Sequence, residues 1–160
     1  MLGHDTTLFQ SINFLTGSEQ RTHSDSIHMS TFPLDSMAAT WVALENITPD
    51  NGPLHYYPGS HRLPYYLNAN YANEGTPWLT GKQEYTAYEA TIAQKIAEAG
   101  IQKQLFFARK GDIFLWHANL MHGGESHGNP AQTRKSMVFR YFSRAHICYH
   151  EITQRPALLG

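Results

Sequence analysis

Short runs of β-branched and aromatic residues recur along the chain, and this recurrence constrains its fold more than any other feature. Glycine and proline residues lie between the runs, as is typical of strands joined by turns. The runs are Leu8–Phe14, Thr22–Ser30, Ala39–Leu44, Leu54–Tyr57, Gln104–Ala108, Asp112–His117 and Lys135–Phe142. Seven short strands of this kind predict a mainly β protein, built as a sandwich or a barrel.

One segment departs from the β pattern and predicts a helix. Within residues 84–99, apolar side chains are spaced three and four residues apart, and Gly100 follows. The apolar positions are Tyr85, Tyr88, Ile92, Ile96 and Ala99. This spacing predicts an amphipathic helix that ends at the glycine and covers the sheet with its apolar face.

Length and composition favour one domain. The chain has 160 residues, of which 41% are hydrophobic and 16% are charged, as is typical of a single globular domain. We therefore predict one domain over residues 1–160. Residues 58–81 are rich in Asn, Tyr, Gly and Pro, so they predict an irregular insert that is either a binding lid or a plain surface excursion.

The charge pattern argues against a nucleic-acid partner, and the hydropathy pattern argues against a membrane. Twelve Lys and Arg residues against thirteen Asp and Glu residues give a net charge of −1. The sequence contains no run of basic residues that could bind along the phosphate backbone of a nucleic acid. The apolar stretches are too short to span a bilayer, and the first residues lack the order of a signal peptide. We therefore expect a soluble, cytoplasmic protein. Its single cysteine, Cys148, forms no internal disulfide.

Ten histidines are an unusual number for this length and make metal binding worth testing. His23 and Asp25 lie two residues apart, so on a strand both side chains point to the same face. There an imidazole and a carboxylate can reach one cation. His28 lies an odd number of residues from both, and on a regular strand it points to the opposite face, so we leave it out of the ligand set.

A second histidine would complete a set of two histidines and one carboxylate. Such a set holds nonheme Fe(II) and leaves other coordination positions open. His122 is one candidate, because it follows a predicted strand and precedes two glycines that allow a tight turn. His117 is the other candidate, although it alternates with Ile113 and Leu115 and fits a hydrogen-bonded core position equally well. Spacing favours His122 but leaves both open.

A basic side chain follows at the start of the last long predicted strand. Arg134 lies one loop beyond His122 and shares a strand face with Ser136. A guanidinium group with a hydroxyl beside it suits a contact with a carboxylate. The alternative interpretation is that Arg134 is an exposed arginine at the end of a strand and binds no carboxylate.

Taken together, these residues resemble the phytanoyl-CoA dioxygenase family of Fe(II)- and 2-oxoglutarate-dependent oxygenases. Six motifs carry the resemblance in one order along most of the chain. They are THSD at 22–25, WVALEN at 41–46, NGPLHYYPGSH at 51–61, KGDIFLWH at 110–117, HGG at 122–124 and TRKS at 133–136. The resemblance implies a double-stranded β-helix, or jelly roll, and an enzyme that uses iron, 2-oxoglutarate and dioxygen to hydroxylate a small molecule.

The resemblance also assigns roles to individual residues. It makes His23, Asp25 and His122 the iron ligands and hence the catalytic residues. The resemblance thereby selects His122 over His117 as the second histidine ligand. It places Arg134 against the far carboxylate of 2-oxoglutarate, with Ser136 completing an Arg-x-Ser arrangement.

Four further residues receive roles at the co-substrate and substrate sites from the same resemblance. Trp41 flanks the co-substrate in relatives, and Asn13 matches a polar co-substrate contact on the preceding strand. Tyr56 and Tyr57 are expected in the wall of the substrate site.

The N-terminal region departs from the family pattern. Relatives carry a helical region before the strand that precedes the His-x-Asp motif, whereas 22 residues precede His23. We expect a shortened member with uncovered apolar sheet surface, which a homodimer would cover. Two alternatives stay open: a catalytically silent jelly-roll binding module or subunit, and a cupin-like metal protein that does not use 2-oxoglutarate.

Overall fold

The computed structural model describes residues 2–3, 5–76 and 84–157, and this part of the chain is mainly β, as predicted. The strands are β1 (Thr6–Phe14), β2 (Met29–Phe32), β3 (Met37–Ala43), β4 (Leu54–Tyr56), β5 (Gln104–Phe106), β6 (Ile113–His117), β7 (His122–Gly124), β8 (Ser136–Ser143), β9 (Ile147–His150) and β10 (Arg155–Pro156). The helix is α1 (Tyr85–Glu98). Residues 77–81 of the predicted insert lie outside the described residues.

The strands form two main antiparallel sheets, and the chain crosses repeatedly from one sheet to the other. The first sheet has the order β1-β8-β3-β6, and the second has the order β5-β4-β7. A backbone bridge between His23 and His122 adds the chain before β2 to the second sheet, while β2 pairs with β9 in a third. This crossing between sheets is the pattern of the double-stranded β-helix that the resemblance implied.

Inward-facing side chains of the two main sheets share one apolar core. Alternate residues of the first sheet point inward, so Trp41, Phe114 and Val138 form one cross-strand row. From the second sheet, the Phe106 ring centroid lies 6.1 Å from that of Trp41, and the Tyr56 ring centroid lies 4.9 Å from that of Phe114. Trp41 and Val138 also line the cavity that contains the candidate ligands.

The outer face of the first sheet carries exposed apolar side chains. Ile113 and Leu115 are 62% and 53% exposed because they alternate with residues of the inner face. Leu8 is 50% exposed and lies beyond a register shift that separates it from Gln10. Uncovered apolar surface was expected from the resemblance. The homodimer that would cover it stays a prediction.

Helix α1 packs its apolar face on the segment before β2 and on the loop before β7. The buried residues of this cluster are Ile27, Tyr88, Ile92, Ile96 and Met121. The helix predicted over 84–99 is confirmed, and it ends just before Gly100, whose φ is +65°. Among the described residues, no helix is long and apolar enough to cross a membrane.

Ile92 tests how much this packing contributes to stability. Its side chain is fully buried, so Ile92→Ala leaves a cavity and should lower the free energy of unfolding by about 2–5 kcal/mol. Urea denaturation followed by circular dichroism measures the change. Gln94→Ala on the exposed side of α1 is the control, and we expect it to change stability by less than about 0.5 kcal/mol. Equal effects would show that α1 is not docked as described.

The run predicted as one strand over residues 22–30 is broken in the structure. Only His23 keeps a strand bridge, a 3-10 turn follows over Asp25–Ile27, and β2 begins after it. The turn forms because the backbone N–H of Ser24 donates to the hydroxyl of Tyr88, and the N–H of Ser26 donates to the carbonyl of Ala118. Both bonds replace strand pairing.

The described part of the predicted insert is anchored to the elements beside it. It contains 3-10 turns at Ser60–Arg62 and Asn68–Tyr71. The side-chain amide of Asn68 donates to the carbonyl of Ile27 at 2.7 Å, and the hydroxyl of Ser60 accepts from the backbone of Met121 at 2.9 Å. Residues 58–76 are therefore held against both segments that carry the candidate ligands.

Candidate metal centre

Two histidines and one aspartate meet in the interior. His23, Asp25 and His122 are all buried, and one ligand atom from each lies within 4.8 Å of the others. Backbone hydrogen bonds of 2.9 Å run in both directions between His23 and His122, so they hold the imidazole ring centroids 4.6 Å apart. Within the described ranges, this is the only group of three or more His, Cys, Asp and Glu residues with such spacing.

The hydrogen bonds of the two imidazoles fix which nitrogen faces the centre. Nδ1 of His23 lies 2.8 Å from the carbonyl oxygen of Arg21, and Nδ1 of His122 lies 2.9 Å from that of Leu120. A carbonyl only accepts, so each Nδ1 carries the proton and each Nε2 offers a lone pair. Nε2 of His23 is buried and has no hydrogen-bond partner in the described structure. This arrangement is typical of metal-binding histidines.

The charges of the group suit a divalent cation. Burial, followed by the neighbouring His122, holds the pKa of His23 well below its ordinary value, so this imidazole is neutral. Burial alone would raise the pKa of Asp25, but Arg140 and the two histidines outweigh it and hold that pKa well below the usual range. The group therefore offers an ionised carboxylate and imidazole lone pairs.

Two residues that the sequence analysis missed hold the carboxylate. Arg140 donates from Nε and Nη2 to Oδ1 of Asp25 at 3.0 and 2.7 Å, and Trp116 donates from Nε1 to Oδ2 at 2.8 Å. Alternation along β8 could have indicated Arg140, because Arg134, Ser136 and Arg140 occupy the same strand face. Trp116 carried no such signal.

A buried guanidinium group without a counter-ion lines the same cavity. Arg134 is 1% exposed, and its Nη1 donates to the carbonyl of Gly52 at 2.7 Å. Its Nε has no partner, and no carboxylate pairs with it in the described part of the chain. Burial lowers the pKa of Arg134 to about 10. A buried cation of this kind is costly unless an anion joins it.

Further unsatisfied donors stand near Arg134. Ser136 lies two residues further along the same strand face, and its hydroxyl is buried without a partner among the described residues. Trp41 also lines the cavity, and its indole N–H is likewise buried without a hydrogen-bond partner among the described residues. Buried polar groups are normally satisfied, so this set of donors fits an oxygen-rich anion such as a dicarboxylate.

The structure places Asn13 away from the candidate ligands, so its assignment as a co-substrate contact stays a prediction that this geometry does not support. Asn13 lies opposite Met137 on the outer face of the first sheet, and its side chain is exposed. The reason is strand alternation, since Ile12 and Phe14 on either side of it face the core. The polar side chain of β1 that reaches the site is Gln10, which accepts a hydrogen bond from Arg140 at 2.7 Å.

Tyr56 and Tyr57 do not form one wall. Tyr56 points inward and packs in the apolar core, as its contact with Phe114 shows. Tyr57 lines a groove of about 740 Å³ outside the barrel, together with Thr22 and Glu89. None of the candidate ligands lines that groove, so the structure does not bring the two tyrosines to one wall, and their place at the substrate site stays a prediction.

His28 and His117 both lie outside the ligand group. The His28 ring centroid is 5.5 Å from that of His23, and the ring stacks on Tyr85. His117 points away from the site, with Nε2 3.5 Å from Oδ1 of Asp35. The ligand group found in the described residues contains neither.

Residues around the ligands explain why the chain folds this way locally. The hydroxyl of Tyr88 on α1 accepts from the backbone of Ser24, which pins the His-x-Asp segment. The Ser60 hydroxyl holds Met121 next to His122. Gly123 is required by close approach, because a Cβ atom there would lie 2.6 Å from the carbonyl oxygen of Gln20.

Comparison with known proteins identifies related sequences. Residues 2–136 match the family model described as phytanoyl-CoA dioxygenase (PhyH). An ectoine dioxygenase of Sphingopyxis alaskensis is 33% identical over 153 residues, which cover 89% of this chain and 48% of the relative. A phytanoyl-CoA dioxygenase domain-containing protein 1 homologue of Caenorhabditis briggsae is 24% identical over 108 residues, 65% of this chain and 34% of the relative. The chain thus spans about half the length of the first of these relatives and a third of the second.

Solved structures share the fold. The structure of EctD from S. alaskensis with 2-oxoglutarate and 5-hydroxyectoine matches with a TM-score of 0.68 and 22% identity, over 95% of this chain and 49% of that one. SnoK, a non-heme α-ketoglutarate-dependent carbocyclase from nogalamycin biosynthesis, matches with a TM-score of 0.69 and 15% identity, over 99% and 61%. The epimerase SnoN from the same biosynthesis matches with a TM-score of 0.63 and 18% identity, over 99% and 53%.

Proposed function

The chain belongs to the phytanoyl-CoA dioxygenase family, and from this premise we propose that it is an Fe(II)- and 2-oxoglutarate-dependent dioxygenase that hydroxylates a small molecule. One observation carries the proposal. The imidazoles of a buried group of two histidines and one aspartate line the same cavity as a buried guanidinium group that has no carboxylate partner among the described residues. The first fits Fe(II), and the second fits the distal carboxylate of 2-oxoglutarate.

The ligand residues have separate roles in this proposal. His23 and His122 offer Nε2 lone pairs whose direction is fixed by the Nδ1–H bonds to backbone carbonyls. Asp25 supplies the negative charge. Three protein ligands of this kind would hold Fe(II) and would leave its other coordination positions open for the co-substrate and dioxygen.

The co-substrate is held by the donors that lack partners. Arg134 pairs with the distal carboxylate, the hydroxyl of Ser136 donates beside it, and Trp41, which lines the cavity, offers an indole N–H that has no partner among the described residues. Bound iron and 2-oxoglutarate would supply oxidative decarboxylation, in which dioxygen is consumed, 2-oxoglutarate is cleaved to succinate and carbon dioxide, one oxygen atom enters succinate and the other enters the oxidised C–H bond of the product. The apolar layer behind Trp41 keeps water away. No side-chain general base is needed.

The substrate is proposed as a small molecule, with a C–H bond as the reacting group. The support is the 33% identical relative, whose name describes a dioxygenase of ectoine. Structural relatives with the same fold also include an epimerase and a carbocyclase, so hydroxylation must be shown by incorporation of ¹⁸O from dioxygen into product.

Anaerobic titration tests the proposal directly. Fe(II) and 2-oxoglutarate are added to the apo protein, and the weak visible charge-transfer band of the chelate is recorded. We expect the band to appear and succinate to form slowly once air is admitted. Metal binding without the band would favour a cupin-like protein that does not use 2-oxoglutarate. Absence of metal binding would favour a catalytically silent jelly-roll module.

A further inference from the structure

The carboxylate of Asp25 has unequal surroundings at its two oxygens. Oδ1 accepts two N–H bonds from Arg140, at 3.0 Å from Nε and 2.7 Å from Nη2. Oδ2 accepts one N–H bond, at 2.8 Å from Nε1 of Trp116. An ionised carboxylate oxygen has two lone pairs in the carboxylate plane. Oδ1 is therefore filled by donors, and Oδ2 retains one lone pair.

The donors belong to a single cross-strand row of the first sheet. Gln10, Arg140, Ala39 and Trp116 lie side by side on β1, β8, β3 and β6. Ala39 is the small member of the row, so the long side chains on either side of it can converge above it on one carboxylate. The side-chain oxygen Oε1 of Gln10 accepts a hydrogen bond from Nη1 of Arg140 at 2.7 Å. This bond fixes the plane of the Arg140 guanidinium group.

From this geometry we propose that Arg140 is a positioning residue that restricts Asp25 to binding the metal through one oxygen, Oδ2. The inference rests on the proposed function. Carboxylates bind metals through one oxygen or through both. With Oδ1 occupied by Arg140, the second mode is closed to Asp25.

The restriction matters because each coordination position has a use. Three protein atoms leave the remaining positions to the 2-oxoglutarate chelate and to dioxygen. A carboxylate bound through both oxygens would occupy the position that dioxygen needs. In this proposal Arg140 preserves reactivity by holding Oδ1 of Asp25.

Nitric oxide is a suitable probe, since it binds an open position on Fe(II) and gives a characteristic electron paramagnetic resonance signal. Wild type and Arg140→Met are each loaded anaerobically with Fe(II) and 2-oxoglutarate and then exposed to nitric oxide. With Fe(II) in enough excess to offset a weakened metal affinity, we expect the charge-transfer band to persist in Arg140→Met while the nitric oxide signal falls by about 10-fold or more. Arg144→Met is the matched control. Arg144 is exposed at the end of β8 and bonds Thr7, and its variant should behave as wild type.

Two milder variants keep the inference falsifiable if Arg140→Met does not fold. Arg140→Lys keeps the charge but cannot place two N–H bonds in a fixed fork on Oδ1, and Gln10→Leu removes the anchor of the guanidinium group. Both should give signals between those of wild type and of a closed site. Wild-type signals in these two variants would overturn the inference. A wild-type protein that forms no charge-transfer band would instead overturn the proposed function.

Discussion

Replacing His122 with glutamine is expected to abolish Fe(II) binding and turnover, whereas the same replacement at His117 leaves both unchanged. Nε2 of His122 belongs to the ligand group, and no other described residue stands ready to replace it. Loss of an outer-shell partner already costs about 10–100-fold in metal affinity, so loss of a ligand should cost more than about 100-fold. Anaerobic calorimetry with Fe(II), followed by succinate formation in air, measures both effects.

His117→Gln is a matched control because it changes the same side chain in the neighbouring segment. Its imidazole faces Asp35 on the far side of β6 and contributes nothing to the cavity. Asp25→Asn should behave like His122→Gln, since it removes the only negative charge of the ligand group. If His117→Gln lost iron while His122→Gln retained it, the ligand set proposed above would be wrong.

Alternation explains which parts of the fold were predictable. β1, β3, β6 and β8 are long enough for the inward and outward residues to be distinguished, and their runs were found from the sequence. β7 consists of His122, Gly123 and Gly124, which have no strand propensity of their own. Its extended conformation comes from pairing with β4, so only tertiary structure reveals it.

The proximity of His23 and Asp25 arises differently from the reasoning that anticipated it. Strand periodicity placed both on one face, but Asp25 begins a 3-10 turn instead of continuing a strand. The turn still brings the two side chains together, because Tyr88 and Ala118 hold the intervening backbone. Asn13 shows the reverse case, where alternation between Ile12 and Phe14 predicts an outward side chain and the resemblance alone suggested otherwise.

The residues around Asp25 could not be found from local pattern. Arg140, Trp116 and Gln10 reach the site from three strands of one sheet, and the hydrogen bonds that join them to Asp25 or to each other span 91 to 130 residues along the chain. Their meeting depends on the register of three strand pairs. Register is a property of the folded sheet, so a motif-based search finds the ligands and misses the side chains that orient them.

Arg134→Gln is expected to remove most of the affinity for 2-oxoglutarate while leaving Fe(II) binding intact. The Arg134 guanidinium is buried and has no carboxylate partner in the described ranges, so its pairing with an incoming anion is made in a site largely shielded from water. Truncating one partner of such a pair costs about 2 kcal/mol or more, which is about 30-fold in affinity. Titration of the charge-transfer band with 2-oxoglutarate in the presence of excess Fe(II) gives the dissociation constant.

Thermal unfolding supplies an independent readout that a loss of structure would not mimic. In wild type, 2-oxoglutarate should raise the Tm of the iron-loaded protein as its concentration exceeds the dissociation constant. In Arg134→Gln this increase should disappear, while the Tm without co-substrate should not fall, because a buried cation without a counter-ion has been removed. Arg144→Gln, at an exposed arginine, should retain the wild-type response. An unchanged titration in Arg134→Gln would mean that Arg134 is a structural arginine and that the anion binds elsewhere.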